Sequence, residues 1–249
     1  MHYGLDNKIV LVTGGSKGLG RCLIDEFQAQ NCTVIFGNRD EELGKKVAEE
    51  TGAEYVKFDL TDNASIENMV AHVKEKYGRL DIMVNNAALC CANQMSMAEF
   101  SDEYVAENFA TNSRGTYKCM QEAIKVMLTQ ETKGSIVNIT SITTVRGGNG
   151  ISIYAASKAA INSMTEAAAC EYGAQGIRIN AVMSGVIGTE QTKAFAVASP
   201  EHYKAFCSNI PLARVADPEE IARPVLWLCS DDASYVQGHL LVVDGGTLK

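Results

Sequence analysis

No stretch of this 249-residue sequence approaches the 18 or so consecutive apolar residues of a membrane-spanning helix. The opening residues, MHYGLDNK, lack a basic start followed by an apolar segment, so no secretory signal is expected. Basic charge is in deficit: 22 Lys and Arg stand against 30 Asp and Glu, a net charge of -8, with no block of five or six like charges. A long polyanion such as DNA finds no basic surface here, although one small anion could still be held locally. The eight cysteines, Cys22, Cys32, Cys90, Cys91, Cys119, Cys170, Cys207 and Cys229, form no C-x-x-C and have no histidine at metal-ligand spacing. They read as free, mostly buried thiols of a reducing cytosol, and no metal site is expected. His2, His72, His202 and His239 are scattered and read as surface or packing residues.

Hydrophobic residues make up 46% of the chain, enough for a sizeable core. Short β-branched runs alternate with longer segments of helical period. The runs are KIVLVTG, TVIFGN, EYVKFD, LDIMVNN, GSIVNITS, IRINAVM and HLLVVDGG. Several are continuously apolar, as strands covered on both faces must be. The helical segments between them are 18–30, 40–50, 63–77, 100–128, 153–173 and 218–230. Such alternation predicts an α/β fold, a single doubly wound domain over residues 1–249 with about seven parallel strands and helices on both faces. Residues 188–211 carry Phe195, Tyr203 and Phe206 and read as a helical lid or a packed surface subdomain.

After the first strand comes TGGSKGLG, Thr13 to Gly20. Four glycines in eight residues invite the dinucleotide fingerprint G-x-G-x-x-G, but Gly14, Gly18 and Gly20 are spaced G-x-x-x-G-x-G. The context is still a strand followed by a helix, whose free N–H groups and dipole favour a phosphate. Gly14 permits a tight turn. Gly18 and Gly20 allow close approach of backbone to a pyrophosphate and of helix to strand.

TGGSKGLG, NNAA at 85–88, SIVNITS at 135–141 and YAASK at 154–158 resemble the marks of the short-chain dehydrogenases/reductases, and DPEEIA at 217–222 and VDGG at 243–246 match the C-terminal part of that family. The resemblance covers essentially the whole chain and implies a Rossmann-type oxidoreductase using NAD(H) or NADP(H). The glycine spacing is the family's own variant. Two departures stand out. Ala88 replaces the last Gly of N-N-A-G, and Ser184-Gly185 replaces the usual P-G.

Tyr154 and Lys158 are four apart on a helical segment and share one face. Ser141 closes the fifth strand at the carboxyl edge, where ligands bind in such sheets. The three can converge on one point. Moving a hydride to or from a carbinol carbon requires a proton to move at its oxygen. Tyrosine's ordinary pKa, near 10, is too high for a base at neutral pH. A neighbouring ammonium and an oxidised nicotinamide favour the phenolate, by an electrostatic preference of about 3–4 kcal/mol. Tyr154 is therefore the expected acid/base, and Lys158 lowers its pKa. Ser141 donates to the substrate oxygen. The resemblance adds that Lys158 holds the nicotinamide ribose and that Asn112 orders a water leading from Lys158 toward solvent.

The glycine loop supplies Gly14, Ser16, Lys17, Gly18, Leu19 and Gly20 to the cofactor. By resemblance, Asp59 and Leu60 lie beside the adenine, Asn85 and Ala87 line the cofactor after the fourth strand, and Gly185, Ile187 and Thr189 meet the carboxamide end. Thr189 also reads as a helix N-cap. At the end of the second strand an acid selects NAD by pairing with the ribose hydroxyls. Here Asn38 takes that position and Arg39 follows, with Lys17 on the neighbouring loop. Two cations without an acid point to NADP(H), unless Asp40 faces the ribose instead of capping the next helix.

The leading expectation is an enzyme interconverting a secondary alcohol and a ketone. A catalytically dead cofactor-sensing regulator would typically lose the Tyr or the Lys, and a sugar-nucleotide epimerase would be longer with different glycine spacing. Among substrates, a bulky apolar alcohol such as a hydroxysteroid or bile acid suits a pocket of Cys90, Cys91, Met95, Thr143, Asn149, Met183, Phe195 and Phe206. Of these, Thr143, Asn149 and Met183 join Ser141 and Tyr154 as the expected substrate contacts. A 3-oxoacyl thioester on an acidic carrier protein fits less well, because Gln130, Glu131 and Gln175 are not basic. A small sugar or polyol remains an alternative. The resemblance further implies a homotetramer built on the helices around 100–128 and 153–173 and on the C-terminal strand, and the free cysteines make its expected location cytoplasmic.

Overall fold

A computed structural model describes residues 2–90 and 95–249. Its centre is a seven-stranded sheet in the order β3-β2-β1-β4-β5-β6-β7, with every pairing parallel. The strands are β1 (Ile9–Thr13), β2 (Thr33–Asn38), β3 (Glu54–Lys57), β4 (Ile82–Asn85), β5 (Ser135–Ser141), β6 (Arg178–Ser184) and β7 (Leu240–Val243). The helices are α1 (Gly18–Gln28), α2 (Glu41–Thr51), α3 (Asn63–Tyr77), α4 (Asp102–Asn108), α5 (Thr116–Leu128), α6 (Ser152–Tyr172), α7 (Glu190–Ala198), α8 (Pro200–Ser208) and α9 (Pro218–Cys229).

The period-2 alternation of strands divides the core into two layers. Val10 and Val12 of β1 face α1, α2 and α9, packing with Leu23, Phe27, Val47 and Leu226. Ile9 and Leu11 face the other way, toward α3, α5 and α6, with Ile66, Met69, Met120 and Ala123. Both faces being covered explains why several strand sequences run apolar without a break. Chain order reverses between β1 and β4, so the loops after these two strands diverge at the carboxyl edge and open a crevice there.

The helical stretch expected at 100–128 runs unbroken from Asp102 to Leu128, with a change of winding midway. Ser101 caps α4, accepting from Tyr104 N at 3.2 Å, and a π-helical turn, Phe109–Gly115, separates α4 from α5. Gly115 lies so near β3's end that a Cβ there would sit 2.4 Å from the Leu60 carbonyl oxygen. The widened turn lets the helix pass that point while Asn112 stays fully buried. The 188–211 segment folds into the short helices α7 and α8.

The seven described cysteines are free; Cys32, Cys119, Cys207 and Cys229 are buried, and burial pushes the Cys32 and Cys229 thiols up to about 12. Among the described residues no cluster of three or more His, Cys, Asp or Glu could hold a metal, and no helix is long and apolar enough to cross a membrane.

At the β3 edge, Glu54 accepts from Lys76 Nζ at 2.8 Å and from the Tyr77 hydroxyl, and lies 2.7 Å from His72 Nε2. Burial alone raises its pKa, but these bonds outweigh it and hold the carboxyl at about 2. A carboxyl depressed below its unfolded value of about 4.3 stabilises the fold above that pH and loses the contribution as pH falls toward 2. Glu54→Gln should therefore destabilise by about 1 kcal/mol at pH 7, allowing for solvent screening. That corresponds to about 2–4 °C in Tm. Melting curves of both proteins at pH 7 and pH 3 should show the gap narrowing; an equal gap at both would contradict the pairing.

Candidate active site

The loop between β1 and α1 is shaped by crowding. Gly14 has φ +70°, and a Cβ there would lie 2.9 Å from Ala87 Cα. A Cβ on Gly20 would lie 2.0 Å from the Gly14 carbonyl oxygen, so no side chain fits. Two residues that sequence reasoning passed over stitch this loop to the one after β4. The Thr13 hydroxyl accepts from the backbone N–H groups of Asn86 and Ala87, both at 3.0 Å. The Asn86 amide donates back to Thr13 O at 3.0 Å and Gly14 O at 3.1 Å. The floor of the crevice is thereby fixed before any ligand arrives.

The crevice is a cleft of about 640 Å³. Gly14, Lys17, Gly18, Leu19 and Gly20 line it from the loop, Asn38 and Arg39 from β2, Asp59 and Leu60 from β3's end, and Ala87 from the β4 loop. Ile187 and Thr189 line it after β6, and Tyr154 and Lys158 line it from α6. Three expected cofactor contacts sit elsewhere. Ser16 lines a neighbouring cavity of about 470 Å³ bordered by α1 and Pro218. Asn85 shares the strand face of Met83 and is buried, its amide donating to Asn138 Oδ1 at 2.8 Å; its neighbour Asn86 lines the cleft instead. Gly185 packs on β7's end, where a Cβ would be 2.8 Å from Asp244 Cα. Alternation along β4 could have found Asn85.

Asp40, the acid that competes with Arg39 at the end of β2, is the N-cap of α2 and accepts from Leu43 N at 3.0 Å. Asn38 donates to Asp40 O at 2.8 Å. Asp59 accepts from the backbone and hydroxyl of Thr61 at 2.8 and 2.7 Å. Burial pushes its carboxyl up, but these bonds and the nearby Arg39 guanidinium bring it below the usual value.

Ser141 ends β5 and caps a single 3-10 turn, Ile142–Thr144. Tyr154, half-buried, and Lys158 lie on the first turns of α6. Lys158 is 3% exposed and donates to Ile139 O at 2.8 Å. Burial lowers its pKa to about 8, which leaves it mostly charged at neutral pH. Asn112 works as a brace. Its amide donates to Leu89 O at 3.1 Å and Ser157 Oγ at 3.0 Å, and its Oδ1 accepts from Leu89 N at 2.8 Å. Ser157 in turn donates to Tyr154 O at 2.8 Å. The π turn, the β4 loop and the first turns of α6 are thus tied through one side chain, which makes no bond to Lys158 among the described residues.

The expected substrate residues scatter more. Cys90 is exposed and lines the cleft. Met183 does not line it: β6 alternation turns this side chain toward α6, where it is 2% exposed beside Asn162. Asn149 is exposed on the loop before α6, Thr143 bonds Ser141, and Met95 is half-buried. Phe195 of α7 packs edge-on against Tyr203 and Phe206 of α8, centroids 5.9 and 6.4 Å apart. Cys91 lies outside the described residues.

Known proteins resemble the chain over nearly its whole length. A family model described as Enoyl-(Acyl carrier protein) reductase matches residues 14–247. A 2,5-dichloro-2,5-cyclohexadiene-1,4-diol dehydrogenase of Sphingobium indicum is 34% identical, covering 97% of this chain and 97% of that protein. The 3-oxoacyl-[acyl-carrier-protein] reductase FabG of Thermotoga maritima is 35% identical over 97% of this chain and 98% of its own length. The crystal structure of gox2181 superposes with a TM-score of 0.92 at 31% identity, covering 98% of this chain and 96% of the other. The chain belongs to the short-chain dehydrogenase/reductase family, oxidoreductases that work with NAD(H) or NADP(H).

Proposed function

We propose that the protein interconverts a secondary alcohol and a ketone, with NADP(H) preferred and a bulky apolar alcohol, of the hydroxysteroid or bile-acid class, as substrate. The observation that carries the reaction class is one cleft lined both by the glycine loop and by Tyr154 and Lys158. The cleft suits a dinucleotide: side chains are excluded at Gly14 and Gly20, and a Cβ on Gly18 would come within 3.1 Å of Thr189. The nicotinamide, when bound, supplies or accepts the hydride. Everything else falls to the chain. Tyr154 passes the proton to or from the substrate oxygen. Lys158, charged and enclosed, favours the phenolate and reaches the ribose. Ser141 donates to the oxygen as charge develops. Asn112 holds the π turn, the β4 loop and α6 in register.

The NADP preference is supported by Asp40, whose carboxylate is engaged as a cap, and by the two cations, Lys17 and Arg39, on the same wall. The apolar substrate is supported by the exposed Phe195, Val197 and Phe206 on α7 and α8, α7 being the helix whose first residues, Glu190 and Gln191, line the cleft. We further propose a single domain, 188–211 acting as its lid, and a cytoplasmic homotetramer.

The test is a panel of a hydroxysteroid, a bile acid, a cyclic diol, a polyol and a 3-oxobutyryl thioester, each with NADP(H) and NAD(H), followed by cofactor absorbance. Fastest turnover of the steroid or bile acid supports the reading; preference for the thioester, the diol or the polyol replaces it with that class.

Lys158→Ala should weaken cofactor binding and also raise the apparent pKa of the oxidative rate profile, since one ammonium serves both tasks. An unchanged profile would show that Lys158 does not tune the tyrosine.

A further inference from the structure

The Ser141 hydroxyl is constrained in an unusual way. Its Oγ accepts two hydrogen bonds from a single residue, from the Thr143 backbone N–H at 3.2 Å and from the Thr143 hydroxyl at 3.0 Å. A serine hydroxyl has two lone pairs and one hydrogen. With both lone pairs engaged, the hydrogen is the only bonding capacity left, and among the described residues it has no acceptor. Ser141 is 7% exposed, so bulk water offers little alternative.

We propose that Thr143 is a positioning residue that sets the polarity of Ser141, making its hydroxyl an obligate donor toward the substrate oxygen. A hydroxyl free to rotate could accept a bond from the reacting alcohol or from a phenol as easily as donate one. The oxygen that gains negative charge during reduction needs a donor, and a donor already aimed at it has no reorganisation to undergo. Accepting two bonds also polarises the Ser141 O–H and strengthens its donation. The turn that carries Thr143 is itself anchored. Thr144 Oγ1 donates to Ser141 O at 2.8 Å, and Asn162 Nδ2 of α6 donates to Thr144 Oγ1 at 3.0 Å. The helix bearing Tyr154 and Lys158 therefore also holds the turn that aims Ser141.

This inference rests on the reading of Ser141 as the donor in alcohol–ketone interconversion. Its test is a double-mutant cycle with the fastest compound of the panel, using Thr143→Val, Thr143→Ser, Ser141→Ala and the double variant Ser141→Ala/Thr143→Val. Thr143→Val keeps the shape and the backbone donor but removes the hydroxyl. It should lower kcat about threefold to tenfold with KM within about twofold, the size of one neutral hydrogen bond realised in the transition state. Thr143→Ser should recover most of that loss. On the Ser141→Ala background, Thr143→Val should change nothing further. Tm and cofactor Kd should stay at wild-type values throughout; if Thr143→Val fails to fold, Thr143→Ala takes its place in the cycle. The proposal alone is overturned if Ser141→Ala loses turnover while Thr143→Val does not, or if Thr143→Val costs the same in both backgrounds. If Ser141→Ala turns over like wild type, the donor role of Ser141 falls, and the proposal with it.

Discussion

Tyr154→Phe should lower turnover by at least about 10²-fold, the lower bound for removing a general acid–base group, and leave the cofactor Kd within about twofold of wild type. The substitution keeps the ring on the first turn of α6 and deletes one oxygen. Two bonds at this turn do not involve that oxygen: Ser157 Oγ donates to the Tyr154 backbone carbonyl, and Asn112 donates to Ser157. Lys158 keeps its bond to Ile139 O. A stopped enzyme with normal cofactor binding would therefore report lost proton transfer, not a collapsed site. Near-normal turnover by pure, folded Tyr154→Phe would sink the assignment and move the acid/base role to another group lining the cleft.

Cofactor choice should show the second largest effect. A 2′-phosphate carries nearly two negative charges at neutral pH, and charge-assisted hydrogen bonds to it contribute roughly 1.5–3 kcal/mol each. Lys17 and Arg39 are both exposed, which pulls each toward the lower end. Together they should favour NADP over NAD by on the order of 10²-fold, and less at high salt. The paired substitution Asn38→Asp and Arg39→Ile should reverse the preference, because the new carboxylate accepts from the ribose hydroxyls and repels the phosphate. It also gives up the bond from Asn38 to Asp40 O, so Arg39→Ile alone is the control that removes the cation without disturbing the turn. Lys17→Ala should weaken NADP and leave NAD nearly unchanged. Dissociation constants for both cofactors decide the matter. A wild type that binds NAD as tightly as NADP would mean that Asp40 leaves its capping position to face the ribose.

The sheet was legible because its strands are buried on both faces. KIVLVTG brackets Ile9–Thr13 and GSIVNITS brackets Ser135–Ser141 to within two residues, as continuous β-branched runs ended by Gly or polar residues allow. The positions of Tyr154 and Lys158 followed from helical period, and both line the cleft. What the sequence withheld depends on direction more than on identity. Asn85 was assigned to the cofactor by resemblance and Met183 to an apolar substrate pocket, yet alternation turns both toward the α5 and α6 layer. Ser16 belongs to a turn whose outer side faces a different cavity. The π turn carries no compositional signal, since one added residue barely disturbs an apolar stripe; only the tight fit of Gly115 against Leu60 hints at it. Thr143 was read as a wall of the substrate pocket, whereas its hydroxyl is spent on Ser141.

The strand order also sets how much chain each pairing must close. β1 lies between β2, close in sequence, and β4, whose Ile82 pairs with Val10. Closing the first pairing spans a short segment, whereas the second must wait for the whole β2–α3 stretch and the larger entropy of that loop. The glycine loop can thus form early, while Thr13 finds Asn86 and Ala87 only when β4 docks. Tyr154 and Lys158 lie further along the chain, on a helix packed against β5 and β6. A ligand that spans the glycine loop and α6 therefore bridges parts far apart along the chain. It binds only the completed crevice, and so draws the second half of the chain onto the first.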